Sequence, residues 1–457
     1  MSNEPTIPQP VAFPDLFSRP LVAVFDQPHA SSDGGAVLLK AADQRIGLTA
    51  RLAACLPDAR DPGRITHPLA DLLAQRVFGL ACGYADGNDA DRLADDPIQK
   101  LLLDRDPITG QPLASQPTLS RFENGVGPRA LYAMGRELAA TVIAQHHQRL
   151  RGRARRITID LDVTDDPTHG AQQLSFFHGH YDTWCYLPLL AFVTFNEEPE
   201  QYLCAAVLRP GNAASAAGAL GVLRAVFTLV RSAFPHTTVR VRLDGGFAQP
   251  ALLDWLDHVG VEYVVAMAEN AVLTRLAEPL MAAVRPVVTA TGTTAHQYGE
   301  ARYAAKSWSR TRRIIVKAEV VALAGRAPRD NARFVITNLR QTPRWIYETV
   351  YCQRGEIENR IKELHHGLEI DRTSCTRFWA NQLRVLLTAA AYVLLQDLRR
   401  CAAGTAYARA QVTTLRERLL KIGVRVVASV RRLVLHLPQT FPDHAAWARI
   451  AHRLGAT

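Results

Sequence analysis

Tyr351, Arg354, Glu358, Lys362 and His365 stand at offsets 0, 3, 7, 11 and 14 within YCQRGEIENRIKELH. On a helix these offsets form one stripe. A stripe packed on a core is apolar, whereas this one is almost wholly polar. It is either a solvated face, in which Glu358 and Lys362 make a favourable i,i+4 pair, or a face that aims a carboxylate, cations and a hydroxyl into a working site. Other carboxylates mark where such a site would lie. Asp160 and Asp162, in RITIDLDVTDD, share one face of an expected strand, while Ile157, Ile159 and Leu161 take the other. Asp244 closes VRVRLD just before Gly245 and Gly246, at a sheet rim where a site stays open, although a strand-end Asp is more often a turn cap. Two strand carboxylates and one helix carboxylate, far apart in sequence, are what a pair of Mg²⁺ ions needs, because Mg²⁺ takes hard oxygen ligands and keeps several waters. Two such ions about 3.5–4 Å apart clamp the attacking and leaving oxygens of an in-line phosphoryl displacement. Arg354, Tyr351 and Lys362 would then hold the scissile phosphate or its neighbours.

The elements that must position these groups follow from periodicity. RRITIDLDV alternates and reads as a strand. YLPLLAFVTF and QYLCAAVLRP are two more, followed by the alanine-rich helix SAAGALGVLRAVFTLVRSAF, the strand VRVRLD, the helix PALLDWLDHVG with Gly260 as its C-cap, and the strand VEYVVAMA. Residues 155–268 thus run β-β-β-α-β-α-β. Before them, 40–150 is helical in short pieces, with Ser115 or Thr118 capping SQPTLSRFEN. GYADGNDADRLADDP is dense in Asp and Gly but lacks EF-hand spacing, and reads as a turn with helix caps. Residues 270–345 break the rhythm: ARYAAKSWSRTRRIIVKAEVV and ARFVITNL look like strands of a separate insert. The polar stripe belongs to a helix starting near Ile346, and beyond 380 the chain reads as helical and basic, through TTLRERLLKIGVRVVASVRRLVLHL.

Composition agrees with a globular chain of 457 residues with a large core: 48% apolar and 21% charged. No uninterrupted apolar run long enough to span a bilayer stands out, and the acidic, proline-rich start does not resemble a secretory signal. Seven cysteines, scattered and without a CxxC pair, point to a reduced, cytosolic protein without a zinc site. The net charge of +10 is uneven: residues 1–300 hold 25 Lys+Arg against 32 Asp+Glu, and residues 301–457 hold 28 against 11. A basic second half rich in Arg suggests nucleic acid, the bland alternative being a solvated basic surface.

Together, DVTDDPTHG after the first strand, RLDGGF after the fourth, and RGEIENRIKELHHGLEIDRTSC with FWANQLR beyond it resemble the DDE transposases of bacterial insertion sequences. Within them, the chain resembles the cut-and-paste branch marked by Tyr-x2-Arg-x3-Glu-x6-Lys, read here as Tyr351, Arg354, Glu358 and, in place of Lys, His365. The resemblance implies an α/β fold with an RNase H-like catalytic core, a mixed sheet flanked by helices, divided as 151–270 and 346–400. A β-rich insertion (271–345) would separate the two parts. An N-terminal, mainly helical DNA-binding region (1–150) and a C-terminal helical region (401–457) would flank them. It implies Asp162, Asp244 and Glu358 as catalytic and metal-binding triad, Asp162 rather than Asp160 because of the Asp-x-Thr pattern; strand geometry alone leaves the two open. It implies two Mg²⁺ ions, for which Mn²⁺ would substitute, and metal-dependent cleavage at transposon ends with transfer of the 3′-hydroxyl into target DNA.

The partners implied are double-stranded DNA, as terminal inverted repeats and as target, and a second copy of the chain in the synaptic complex, in a bacterial, nucleoid-associated, cytoplasmic setting. His365 departs from the pattern, and Lys362, one turn earlier, is the substitute cation toward DNA. Arg310, Arg312 and Arg313, in SWSRTRRIIVK, are expected to track the DNA backbone. Trp308 there is expected either to stack on an unpaired base or, as buried aromatics commonly do, to pack in the insert. A nuclease on the same fold without strand transfer, and a catalytically silent DNA-binding descendant, are the alternatives.

Overall fold

Alternation of β-branched and polar residues makes Arg156–Val163 the central strand, β1, of the computed structural model, which describes residues 10–457. Around it lie β2 (Leu189–Phe195), β3 (Tyr202–Val207), β4 (Thr238–Leu243), β5 (Glu262–Met267), β6 (Ala295–Tyr303), β7 (Arg312–Val321) and β8 (Arg333–Thr337). They form one nine-stranded sheet in the order β6-β7-β8-β5-β4-β1-β2-β3, with short Arg329–Asp330 beside β7. β4 runs parallel to β1 and to β5, whereas β2 is antiparallel to β1 and to β3. From β1 to β5 the spatial order is therefore 3-2-1-4-5 with only the second strand reversed. This is the mixed sheet of an RNase H-like core, flanked by helices as expected.

Three expectations are corrected. Residues 271–345 are not a separate insert. Their first part is the helix Ala271–Thr291, and β8 pairs antiparallel with the open edge of β5, Val264 opposite Thr337, so β6–β8 continue the central sheet. An unpaired β5 edge would leave a row of backbone donors and acceptors to satisfy, and β8 satisfies them. The extension is covered on both faces. Helix Ala271–Thr291 packs on Ile314, Val316 and Val320. On the other face Ile315 and Val335 bury Ile346, Tyr347 and Val350, the start of the segment that carries the polar stripe.

The C-terminal region is not all helix either. The helical run ends at Leu420, and Val424–Ser429 and Arg432–His436 form a hairpin whose first strand pairs with Ala30–Ser31. The alternation in VRVVAS outweighed the helical reading. Third, Phe378–Cys401 is long and apolar enough to cross a membrane, but 94% of its apolar window is buried inside the fold. It packs on β3 and on helices Leu69–Ala81 and Pro128–Arg149. The N-terminal helices thereby share one core with the central sheet instead of forming an independent unit.

At the centre of that sheet, Asp160 is fully buried between strands. Arg242 on β4 donates to both its oxygens, at 2.8 and 2.7 Å, and Gln201 to one of them at 3.0 Å. The same Arg242 donates to the carbonyl of Val350 at 3.2 Å, tying the stripe-bearing segment to β4. Because removing one partner strands the other charge in the interior, Arg242→Met is expected to cost about 3–5 kcal/mol in urea unfolding, most of it recovered in Asp160→Leu/Arg242→Met. A loss that the double variant leaves unchanged would count against the pair's being self-contained.

Candidate active site

β1 and β4 are parallel neighbours with Asp160 level with Arg242, so the two chains reach the same sheet edge together, Asp162 on one and Asp244 just past the other. Asp162 is nearly buried and Asp244 is 38% exposed. One oxygen of Asp244 accepts from Gly246 N at 2.9 Å, capping the short turn Gly245–Phe247. Glycine is required in that turn: a Cβ on Gly246 would lie 2.7 Å from the Cβ of Ser215.

The third element is a helix, but not a regular one. It begins at Pro343 rather than near Ile346, widens to a π-turn over Ile346–Tyr351, tightens to 3₁₀ over Cys352–Gly355, is α-helical over Glu356–Lys362 and widens again over Glu363–Gly367. Such π-segments recur at functional sites because they re-aim side chains. Here the tightened turn brings Arg354 between the two aspartates, its Nη2 at 2.9 Å from Asp162 Oδ2 and 3.6 Å from Asp244 Oδ2. The Arg354 Nε is buried without a partner. Tyr351 packs against Tyr347 beside this group. Burial raises its hydroxyl's proton affinity, Arg354 opposes this and Asp244 adds to it. Glu358, one turn on, is exposed. Its charge and that of Asp244 are both felt at Asp162, whose carboxyl is pushed up to about 6, chiefly by burial and against the pull of Arg354.

Asp162 and Asp244 thus face one space in which the charge of Glu358 is also felt, and their hard oxygens suit Mg²⁺. Among the described residues, however, no group of three or more His, Cys, Asp or Glu side chains approaches closely enough to hold an ion. In this conformation Asp162 and Asp244 already share a cation, the guanidinium of Arg354, while Glu358 stands apart. The donor chemistry fits a divalent ion; the closed three-ligand geometry is not formed.

Other expected site residues are placed differently. Asp160 is taken up by Arg242, as above. His365 is half-buried and occupied at both ring nitrogens: Nε2 lies 2.8 Å from Thr164 Oγ1 and Nδ1 3.1 Å from Asp371 Oδ2. Although burial works against it, the His365 hydrogen bond holds the Asp371 carboxyl below its ordinary value. His365 therefore ties the end of the helix to the turn after Asp162. Lys362 is exposed and, among the described residues, makes no ion pair, so the expected Glu358–Lys362 pair is not formed.

Arg312 is buried, paired with Asp254 at 2.6 Å and Asp257 at 2.8 Å, and stacked 5.1 Å over Trp308. Trp308 also meets Tyr303 edge-on, 5.3 Å between centroids. This is the packing alternative, and Arg312 is not free to follow a DNA backbone. Arg313 pairs with Glu300 and donates to the Leu339 and Gln341 carbonyls; Arg310 remains largely exposed. Tyr181 escaped sequence reasoning. It lies between two short strands, Phe176–His178 and Thr183–Tyr186, and burial, with Asp165, Asp162 and Asp244 adding to it, raises its hydroxyl's proton affinity. HGHYDTW has no periodic signal that would have marked it.

An RNase H-like sheet with acidic groups at the ends of its first and fourth strands defines the class of a polynucleotidyl-transfer fold. The chain belongs to the family described as Transposase DDE domain group 1, which it matches over residues 13–457. No curated protein matches it. A solved structure of a piggyBac transposase synaptic complex with hairpin DNA is 10% identical, with a TM-score of 0.43, 92% of this chain and 82% of that one being covered. At that TM-score the likeness carries no argument.

A carboxyl whose proton is held more tightly in the native than in the unfolded state adds its full stability below the unfolded pKa of about 3.9 and loses it as pH rises through the native value. For Asp162 that window runs from about 4 to about 6. In EDTA, Asp162→Asn is expected to match wild type below about pH 4 and to exceed it by roughly 3 kcal/mol at pH 7. Urea melts across this range check it; a difference independent of pH would show that Asp162 is not so shifted.

Proposed function

We propose that this protein is a DNA transposase of a bacterial insertion sequence, cutting at transposon ends and transferring the 3′-hydroxyl into target DNA. The observation that carries the reading is the pairing of two strand-end carboxylates, Asp162 and Asp244, around Arg354, on the helix that also bears Glu358. Family membership supports it. Asp162, Asp244 and Glu358 would hold divalent metal, Mg²⁺ or Mn²⁺, which when bound supplies Lewis acidity and an activated oxygen nucleophile.

The chain's own residues set the rest of the chemistry. Arg354, with a fork of donors matched to phosphate, neutralises the aspartates in this conformation and is placed to take a DNA phosphate when they are otherwise neutralised. Tyr351 keeps its proton and so offers a hydroxyl donor beside the same phosphate. Lys362, exposed and unpaired among the described residues, extends the cationic track along the helix. The N-terminal helices would recognise terminal repeats, and two copies would hold two ends together in a bacterial cytoplasm.

The test is a supercoiled plasmid carrying the flanking terminal repeats, incubated with wild type or Glu358→Gln in Mg²⁺, Mn²⁺ or EDTA. Wild type is expected to excise the element only with metal, and Glu358→Gln to lose about 10³-fold or more while still binding the ends. Marked target DNA separates strand transfer from cleavage alone. Binding by wild type without cutting in any metal would overturn the enzymatic reading in favour of a silent DNA-binding protein.

A further inference from the structure

Between Asp162 and β2 the chain makes an excursion that the site described above does not use. It pairs Asp166–Pro167 with Thr183–Tyr186, and Thr183–Tyr186 with Phe176–His178, then enters β2, where Leu190 lies opposite Asp162. Both ends of this three-stranded ribbon are therefore rooted at the strand position that carries the carboxylate. Its base is fastened. Tyr186 OH donates to the Gln173 carbonyl at 2.7 Å, Thr373 donates to Asp166 at 2.8 Å, and Gly211 lies so close that a Cβ there would be 2.1 Å from the Cys185 carbonyl oxygen.

The outer face of the ribbon is the opposite of fastened. Phe177 is 52% and Trp184 57% exposed. Phe177 and Trp184 are cross-strand partners, their ring centroids 6.5 Å apart and their planes at 66°. Rings in edge contact leave π-faces open. His178 at the end of the first strand and His180 and Tyr181 in the turn after it are in mutual contact, with His178 Nδ1 buried and without a partner. Scattered exposed apolar residues need no explanation, but paired aromatics on a rigid ribbon beside a row of carboxylates do.

Resting on the transposase reading, we propose that Phe177 and Trp184 form a stacking platform for an unpaired nucleobase of the DNA strand whose phosphate enters the Asp162–Asp244 site. The occupant is a base because the ribbon is continuous with the strand bearing Asp162 and because open π-faces stack any base. This is the role the sequence suggested for Trp308, which is instead packed under Arg312. Trp184 carries no helical or strand periodicity that would have singled it out; its exposure and its rigid base do.

The experiment uses the full chain in EDTA and measures binding by fluorescence anisotropy to a terminal-repeat duplex, blunt or ending in a three-nucleotide single-stranded extension. Wild type is expected to bind the extended duplex about tenfold more tightly than the blunt one. Phe177→Ala/Trp184→Ala is expected to lose that preference and keep blunt-duplex affinity and thermal stability. Trp184→Tyr should retain the preference, and abasic residues in the extension should abolish it for wild type. A preference that survives in the double variant, or one that abasic residues do not reduce, overturns the platform. Self-association of wild type lost in the double variant, with the preference intact, would make the ribbon a contact between copies and also overturn it. In those cases metal-dependent cutting of the same plasmid still stands, so the transposase reading survives; binding of neither duplex by wild type would sink both.

Discussion

Asp162 and Asp244 share one end of a sheet, close enough to contact the same guanidinium, and like charges that near repel unless something positive stands between them. The surrounding structure answers this constraint. Arg354 stands between the two aspartates, at 2.9 and 3.6 Å. One strand position deeper, Arg242 fully neutralises Asp160, so the carboxylate next in line on the same face adds no repulsion of its own. What remains is a site whose two aspartates share one guanidinium, and burial, against the pull of Arg354, keeps the Asp162 proton affinity raised.

Placing Arg354 needs a helix whose path is imposed from outside. An unbroken α-helix over 343–367 would carry its stripe at regular angles; the chain instead widens, tightens and widens again. The contacts that hold this irregular path are tertiary. Ile346, Tyr347 and Val350 sit on the β7–β8 extension, Arg242 grips the Val350 carbonyl, and His365 ties the far end to Thr164. The sheet extension beyond β5 thus helps to set the path of the helix that carries the polar stripe.

Much of this was legible in the chain. Alternation in RRITIDLDV and VRVRLD marked the two strands that carry the aspartates, and the polar stripe marked the helix. The failures have physical causes. Alternating valines in VRVVAS lie within a stretch that is also rich in helix formers, and pairing with Ala30–Ser31, nearly 400 residues away, decided for strand. The arginine excess of the second half suggested an open basic surface, yet Arg312, Arg384 and Arg399 are buried, Arg312 and Arg399 in close ion pairs. Composition counts charges without knowing which face each other. Asp160 and Asp162 were equivalent by strand geometry, and only the position of Arg242 on the neighbouring strand separates them.

The sequence by itself determined the strands that carry Asp162 and Asp244 and the helical segment that carries the polar stripe, because those depend on local periodicity and on residue type at turns. The tertiary structure alone decided which of those acids keeps a free charge, which arginine serves the site and which the core, and which aromatics face water. Each of these depends on what lies opposite a side chain, and for Asp160, Arg312, Trp184 and His365 the deciding partner comes from another strand, helix or turn that no local pattern reveals.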